Sequence, residues 1–422
     1  MRRHAKEHHP VRSEIASSGY FNRLGPGLVT GAADDDPSGI GTYSQAGASA
    51  GFGFLWSTFW LLPLAFAVQE ACARLALVTG QGLAAIIKSR LPRWVLVLAV
   101  VLVAIANTVN IAADLSIMSA ALGLLVPINQ LFGVVMFAVL LALSELFIPY
   151  HRYAKVLRWL TLSLLAYVAV LFVADIDWSA VAVATLLPGF GFEKASIAML
   201  LALAGTTISP YLFFWQAAEE IEERNESGLR VSGVHMRAMR GDVFAGMFTG
   251  VFIMFAIMVT AGATLHAQGI TQIESAADAA AALAPIAGPY AGLLFLLGIL
   301  GVGLLSIPVL AGSTAYAVAE TFGWRESLEL QPRQAKAFYG VIVLSMLVAL
   351  GLNLVSIPPV NFLILAAVFN GLAAPVLMVI VWVLARDKQL LGRWASPRWS
   401  QVLLGFAVLA MFALPVLWLL AP

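Results

Sequence analysis

Residues Leu24–Gly51 read LGPGLVTGAADDDPSGIGTYSQAGASAG, an apolar, small-residue stretch interrupted at its centre by Asp34, Asp35, Asp36, Pro37, Ser38 and Gly39. A run of this length matches the ~20 residues that cross a bilayer, which puts three adjacent carboxylates near mid-membrane. An acid placed there costs about 3 kcal/mol even on the lenient insertion scale, so such residues face a cavity or a partner and mark an ion or proton path. Proline removes a backbone donor and disfavours helix in the residue before it. The helix is therefore expected to unwind at Asp36-Pro37-Ser38-Gly39. On a continuous helix the three Asp side chains would point about 100° apart. Unwinding would let two of them converge with freed carbonyls.

The rest of the chain agrees with a membrane setting. Of 422 residues, 61% are hydrophobic and 11% charged, against about 25% charged in an ordinary soluble domain. The net charge of +1 and the single cysteine, Cys72, leave neither a basic nucleic-acid surface nor a disulfide framework, so no nucleic-acid partner is expected. The first residues, MRRHAKEHHPVRSEIASSGYFNRLG, are polar and basic and lack the apolar core and cleavage site of a secretory signal. They read as a cytoplasmic tail.

About eleven apolar stretches of spanning length recur, near 25–50, 53–78, 94–123, 131–149, 156–175, 195–219, 242–266, 288–319, 337–355, 359–385 and 400–420. Cytoplasmic connections should carry the Lys and Arg residues. With the N-terminus inside, one set of connections holds Arg2, Arg3, Lys6, Arg12 and Arg23; Arg74, Lys88, Arg90 and Arg93; Arg152, Lys155 and Arg158. It also holds Arg224, Arg230, Arg237 and Arg240; Arg325, Arg333 and Lys336; and Arg386, Lys388, Arg393 and Arg398. Of the 24 basic residues only Lys194 falls on the other side. An error of one span would scramble this alternation. The protein is thus expected in the cell (inner) membrane, surrounded by lipid, as an all-α multi-pass chain.

The sixth stretch, ASIAMLLALAGTTISPYLFFWQAAEE, repeats the interruption at Gly205, Thr206, Thr207, Ser209 and Pro210. Spans one and six each begin a group of five, and paired interruptions in two halves point to an inverted-repeat transporter with a midplane site. The division expected is a tail (1–24), a first repeat (25–180), a second repeat (181–390) and an added eleventh helix (391–422). Pro63, Pro308 and Pro375 read as plain kinks satisfied by neighbouring groups. Glu70 and Arg74, four apart, read as a structural pair.

At these residues the chain resembles the Nramp family of proton-coupled divalent-metal transporters. The matching pieces are Gly25-Pro26-Gly27 with Asp36-Pro37-Ser38-Gly39, then Trp56, Gln69, Arg74, Leu75, Thr79 and Gly80 along the second helix. IAADLSIMSAALGLL from Ile111, which includes Asp114, is similar to the third helix. GTTISPYLFFWQA, LLFLLGILGVGLLSIPVLAGSTAYAVAETF and ARDKQLLG are similar to helix six, helix eight and the end of helix ten. The resemblance implies a LeuT-like fold of two inverted five-helix repeats, with helices one and six broken at the midplane, and inward transport of a divalent metal. Carried over by position, it implies that Asp36 binds metal and that Ala33 and Thr206 offer backbone carbonyls.

Four positions depart from the family pattern. Gly39 stands where the family has an asparagine ligand, Ser209 where it has a methionine ligand, Tyr211 where it has a histidine, and Ile117 where it has a glutamate on the proton route. Loss of the thioether removes the soft ligand. Carboxylate, carbonyl, hydroxyl and water suit Mn²⁺ and Mg²⁺. Asp35 or Asp34 is a candidate to replace the lost amide, and Asp34, Asp114 and Tyr211 are candidates for a proton path or gate. No cofactor is expected; the metal is cargo. A second reading keeps the fold and makes the cargo a small organic solute, with the Asp cluster serving a coupling ion. An intramembrane enzyme holding Mg²⁺ against a diphosphate would need a second acidic motif beside basic clamps, and the sequence has none at membrane depth.

Overall fold

The computed structural model describes residues 26–148, 162–189, 191, 193–227, 231–328, 330–355 and 357–421. The N-terminal tail, Arg152, Lys155, Arg158 and Arg230, and the start of the fifth expected span lie outside these residues. Within them every regular element is a helix.

The first span is two helices, α1 (Pro26–Asp34) and α2 (Pro37–Ala50). Their 9 and 14 residues reach about 14 and 21 Å at 1.5 Å per residue, so neither alone crosses a ~30 Å hydrocarbon core. Asp36 takes extended backbone angles (φ −70°, ψ 169°) as the N-cap of α2, with Pro37 at its first position. Proline fits there because the first amide of a helix has no intrahelical acceptor. The sixth span is broken in the same way into α9 (Lys194–Thr207) and α10 (Pro210–Ser227). Between the two breaks run α3 (Trp56–Thr79), α4 (Leu83–Arg90), α5 (Arg93–Gly123), α6 (Gln130–Phe147), α7 (Leu165–Val173) and α8 (Trp178–Leu186). After them come α11 (Gly233–Thr264), α12 (Ala291–Phe322), α13 (Lys336–Leu352), α14 (Pro359–Arg386) and α15 (Arg398–Leu420).

Among the described residues, eight helices or near-continuous helix pairs are long and apolar enough to cross a membrane. The acid-broken α1–α2 pair, the 17-residue α13 and the described end of the fifth stretch in α7 account for the other expected spans. Several helices fall where only connections were expected, the two longest having eight and nine residues. One is α4; the other is α8, which turns by 119° from α7 and begins at Asp177, whose carboxylate caps Ser179 and Ala180. Those hydrogen bonds hold the Asp177 carboxyl below its usual range. Pro63, Pro308 and Pro375 sit inside α3, α12 and α14 without ending them.

The inner helices pack through glycine. A Cβ on Gly31 of α1 would run into the backbone of Gly246 on α11, and one on Gly205 of α9 into Ala367 and Gly371 of α14. Each broken span is thus pressed against a continuous helix of the second group of five. The contacts α1 with α11 and α10 with α3 pair the first span with the seventh and the sixth with the second, as an inverted repeat requires.

Among the described residues the basic connections gather at one end. Arg74 donates to the Trp394 carbonyl (2.9 Å), Arg224 to that of Leu77 (2.9 Å) and Lys88 to that of Thr321 (2.8 Å). Arg240 meets Glu70 at 2.9 Å. Lys194 lies instead at the start of α9, over the ring of Trp418 at the far end of α15. The charge alternation read from the sequence therefore corresponds to two faces of one bundle.

Candidate cation site at the two helix breaks

At the first break Asp36 is almost fully buried. Its Oδ1 accepts the Gly39 amide (2.7 Å) and its Oδ2 accepts Nδ2–H of Asn110 on α5 (2.6 Å). The adjacent Asp34 and Asp35 are 2% and 3% exposed, and one oxygen of each lacks a hydrogen-bond partner. Asp114, on α5 one turn beyond Asn110, is fully buried with neither carboxylate oxygen bonded. Among the described residues no ion pair reaches any of these four acids. Carboxylates left this way in a low-dielectric interior carry a desolvation penalty that only a proton or a cation relieves.

The three consecutive aspartates do not converge on one point. Asp34 turns its Oδ2 towards Gly250 of α11, whereas Asp36 faces α5. Among the described residues no group of three or more acids, histidines or cysteines has the geometry of a metal cage. A cation at the breaks would draw on single carboxylates supplemented by carbonyl and amide oxygens.

At the second break, α9 ends at Thr207 and α10 resumes at Pro210. Thr206 turns its hydroxyl back to the carbonyls of Ala202 (3.2 Å) and Leu203 (3.0 Å). Ser209 does likewise, donating to Gly205 O (2.9 Å) and Thr206 O (2.6 Å). Tyr211 donates its hydroxyl across the gap to Ala33 O (2.8 Å), which ties the end of α1 to the start of α10. Two of the positions that depart from the family pattern, Ser209 and Tyr211, thus each donate to one of the two carbonyls expected as ligands. A carbonyl oxygen has two lone pairs, so Ala33 and Thr206 each keep one.

Ala33, Asp36, Thr206, Ser209 and Tyr211 are all at most 3% exposed, so none of them is open to solvent in this conformation. On the far side from the basic end, α2 is sealed by Gln45, which bonds Thr271 O and the Ile273 amide, and by Ala48 O against His266 Nδ1.

Sequence reasoning missed three polar residues here. Tyr43 of α2 lies beside Thr206 and the carboxylates of Asp34 and Asp35. Asn110 bonds Asp36, and Asn370 of α14 bonds Asn110 (3.4 Å). A signal existed for one of them: Asn107, Asn110 and Asp114 recur at helical spacing on one face of an otherwise apolar span. Ile117, on the same helix, is buried without polar function.

Comparison with known proteins agrees with this architecture. The "Divalent metal cation transporter MntH" of Klebsiella pneumoniae strain 342 is 27% identical over 401 residues, covering 92% of this chain and 91% of that protein. Its counterpart from Aeromonas hydrophila is 26% identical over 391 residues, covering 88% and 89%. Among solved structures, the Eremococcus coleocola manganese transporter superposes with a TM-score of 0.74 at 18% identity, covering 94% of this chain and 87% of that one. Mhp1, a nucleobase-cation-symport-1 family transporter, superposes at 0.55 with 14% identity, covering 93% and 91%. These two likenesses show the shared fold. The Natural resistance-associated macrophage protein-like (Nramp) family profile matches residues 27–421, and with 395 of its residues spanned in that one match the chain belongs to the Nramp family.

Proposed function

We propose that this multi-pass membrane protein carries divalent metal cations across the cell membrane by alternating access, with Asp36 as the charged ligand. The observation that carries the reading is the buried, ion-pair-free Asp36 at the first break, joined through Tyr211 and Ala33 to the second. The relatives named for divalent metal transport align over almost the whole chain. The organic-solute reading is not favoured: Mhp1 shares the fold alone. The role is transport, with no catalytic step.

Ala33, Asp36, Thr206 and Ser209 offer only oxygen. Hard oxygen ligands favour Mn²⁺ or Mg²⁺ over thiophilic metals, and Mg²⁺ keeps part of its water shell. The C-terminal end of α1 adds its negative dipole. The basic end is placed in the cytoplasm, and with it the N-terminus. Asp34, Asp35 and Asp114 remain candidates to take up protons, since Tyr211 is engaged with a carbonyl and Ile117 is alkyl.

Proteoliposome uptake of Mn²⁺, Mg²⁺ and Cd²⁺, with and without a pH gradient, tests this. Saturable uptake by the wild type and its loss in a folded Asp36→Ala variant, by about a hundredfold or more if one essential charged ligand is removed, is the expected result. Undiminished uptake of every cation by that variant would remove Asp36 from the site.

A further inference from the structure

Asn110 and Asn370 belong to neither broken span, yet they form a chain that starts on Asp36. Asn110 is fully buried and Asn370 is 1% exposed. Asn110 donates Nδ2–H to Asp36 Oδ2 at 2.6 Å, and its Oδ1 accepts Nδ2–H of Asn370 at 3.4 Å. The remaining oxygen, Asn370 Oδ1, has no hydrogen-bond partner. A carboxamide oxygen left unpaired in an apolar span is destabilising, and a plain donor at 370 would serve Asn110 Oδ1 without that penalty. A purely structural donor to Asp36 accounts for Asn110 and for the Asn370 Nδ2–H that its Oδ1 accepts, and leaves the unpaired Asn370 Oδ1 without a reason.

The geometry of α2 adds a second observation. At Gly39, where the family pattern puts an amide ligand, a Cβ would lie 3.1 Å from the ring of Tyr43. Tyr43 fills the space through which a side chain at 39 would leave the helix. A side-chain amide ligand has to come from another element, and among the described residues the side-chain amide bonded to Asp36 is that of Asn110 on α5.

We propose that Asn110 is the amide ligand of the transported divalent cation and that Asn370 is the positioning residue that lets it turn. This rests on the metal-transport reading above. A carboxamide has a donor edge and an acceptor edge, exchanged by a half-turn about its last bond. Beside the bare Asp36 carboxylate the donor edge is favoured, as the structure shows. Beside a cation bound to Asp36 the donor edge is repelled and the oxygen is attracted. When Asn110 turns, its Nδ2–H faces α14, where Asn370, turning with it, presents the Oδ1 that otherwise lacks a partner. The pair thus has one hydrogen-bonded arrangement for each loading state, and a transporter that must release its cargo gains from both being available.

Two substitutions at one position separate a ligand from a structural donor. Asn110→Asp keeps an oxygen and loses the N–H; Asn110→Leu loses both at similar volume. As a ligand, Asn110→Leu raises the KM for Mn²⁺ and Mg²⁺ uptake in proteoliposomes about tenfold or more, the scale of one lost contact. Asn110→Asp then stays within about threefold of wild type or below it. Asn370→Leu gives a smaller rise, because it removes the partner and keeps the ligand. As a structural donor, Asn110→Asp would lose as much as Asn110→Leu, and that result overturns the proposal. So does a KM within about twofold of wild type in an active Asn110→Leu protein. If the leucine variant does not fold, infrared difference spectra decide: Mn²⁺ added to wild type shifts a side-chain amide carbonyl band, and Asn110→Asp lacks that shift. A wild-type spectrum without the band overturns the assignment. The Asp36→Asn variant keeps the two readings apart. Wild-type uptake that Asp36→Asn abolishes and Asn110→Leu leaves intact defeats the amide ligand alone. Wild type without saturable uptake of any divalent cation defeats the metal reading and this inference with it.

Discussion

Two regions of this molecule bury carboxylates, and they treat them in opposite ways. Near the basic end, Glu70 of α3 is fully buried and ringed by partners: Arg74 one turn along pairs with it, Arg240 of α11 reaches it at 2.9 Å and Ser400 of α15 donates to it at 3.3 Å. Arg74 in turn holds Trp394 O. Three helices and a connection are pinned by one acid whose charge is met within the protein. At the midplane, Asp34, Asp35, Asp36 and Asp114 are buried as deeply; Asp36 meets two amides, the others each leave at least one oxygen without a hydrogen-bond partner, and no cationic side chain is paired to any of them among the described residues. A buried acid that has its counter-ion is part of the framework. One that lacks it is a place for a mobile charge.

The sharpest way to break that contrast is to remove the paired acid. Glu70→Ala leaves Arg74 buried and uncompensated, and should lower stability by about 3–5 kcal/mol, the usual result of halving a buried pair. Thermal unfolding in detergent reads this. The order of preference among Mn²⁺, Mg²⁺ and Cd²⁺ should not change in whatever protein remains folded. A changed order would mean that Glu70 belongs to the transport path.

A smaller effect is expected at the midplane from Tyr211→Phe. This keeps the ring and frees Ala33 O from the phenol, so a carbonyl that binds the cation no longer has to share its lone pairs. The KM for Mn²⁺ should fall about threefold, a change of less than 1 kcal/mol. A rise of the same size would show that the phenol oxygen itself contacts the cation.

The smallest effect tests a third, intermediate group of acids. Glu326 lies in the connection after α12 and faces Glu320 and Glu222; partial burial first, then these like charges, push its carboxyl from 4.5 up to about 8. Between those two pH values the folded protein holds a proton that the unfolded chain has released, so this group's contribution to stability falls as pH rises through the window. Melting temperatures at pH 6 and pH 9 should differ less for Glu326→Gln than for wild type. An identical pH dependence in both would place the titrating group elsewhere.

Much of the fold was legible because a bilayer makes each span answer for itself. Every spanning segment has to satisfy its own backbone hydrogen bonds and present apolar length, so hydropathy and the Lys/Arg alternation located the helices. Pro37 and Pro210 marked both breaks, since proline chemistry acts on the preceding peptide, but the unwound residues are Asp35-Asp36 and Ile208-Ser209. Ser38 and Gly39, also expected in the first break, are helical because proline is accommodated in a helix's first turn, and Gly205, expected in the second, is helical too. Glu70 and Arg74 were legible as a pair from their spacing of four. Arg240 and Ser400, which complete the network, were not, because they arrive from other helices.

For Ser209 the sequence left two uses open, a cation ligand or a bond to its own helix; its hydroxyl donates to Gly205 O and Thr206 O, which engages the proton and leaves the oxygen lone pairs. The sequence by itself determined that three carboxylates sit at an interrupted span, since adjacency in the chain is adjacency in space there. Only the tertiary structure decided which of them is held and by what. Asn110 is 74 residues from Asp36 and Asn370 is 260 from Asn110. Contacts across such separations are fixed by how helices cross, with glycines such as Gly31 and Gly205 setting how closely, and no local pattern in the chain encodes that crossing.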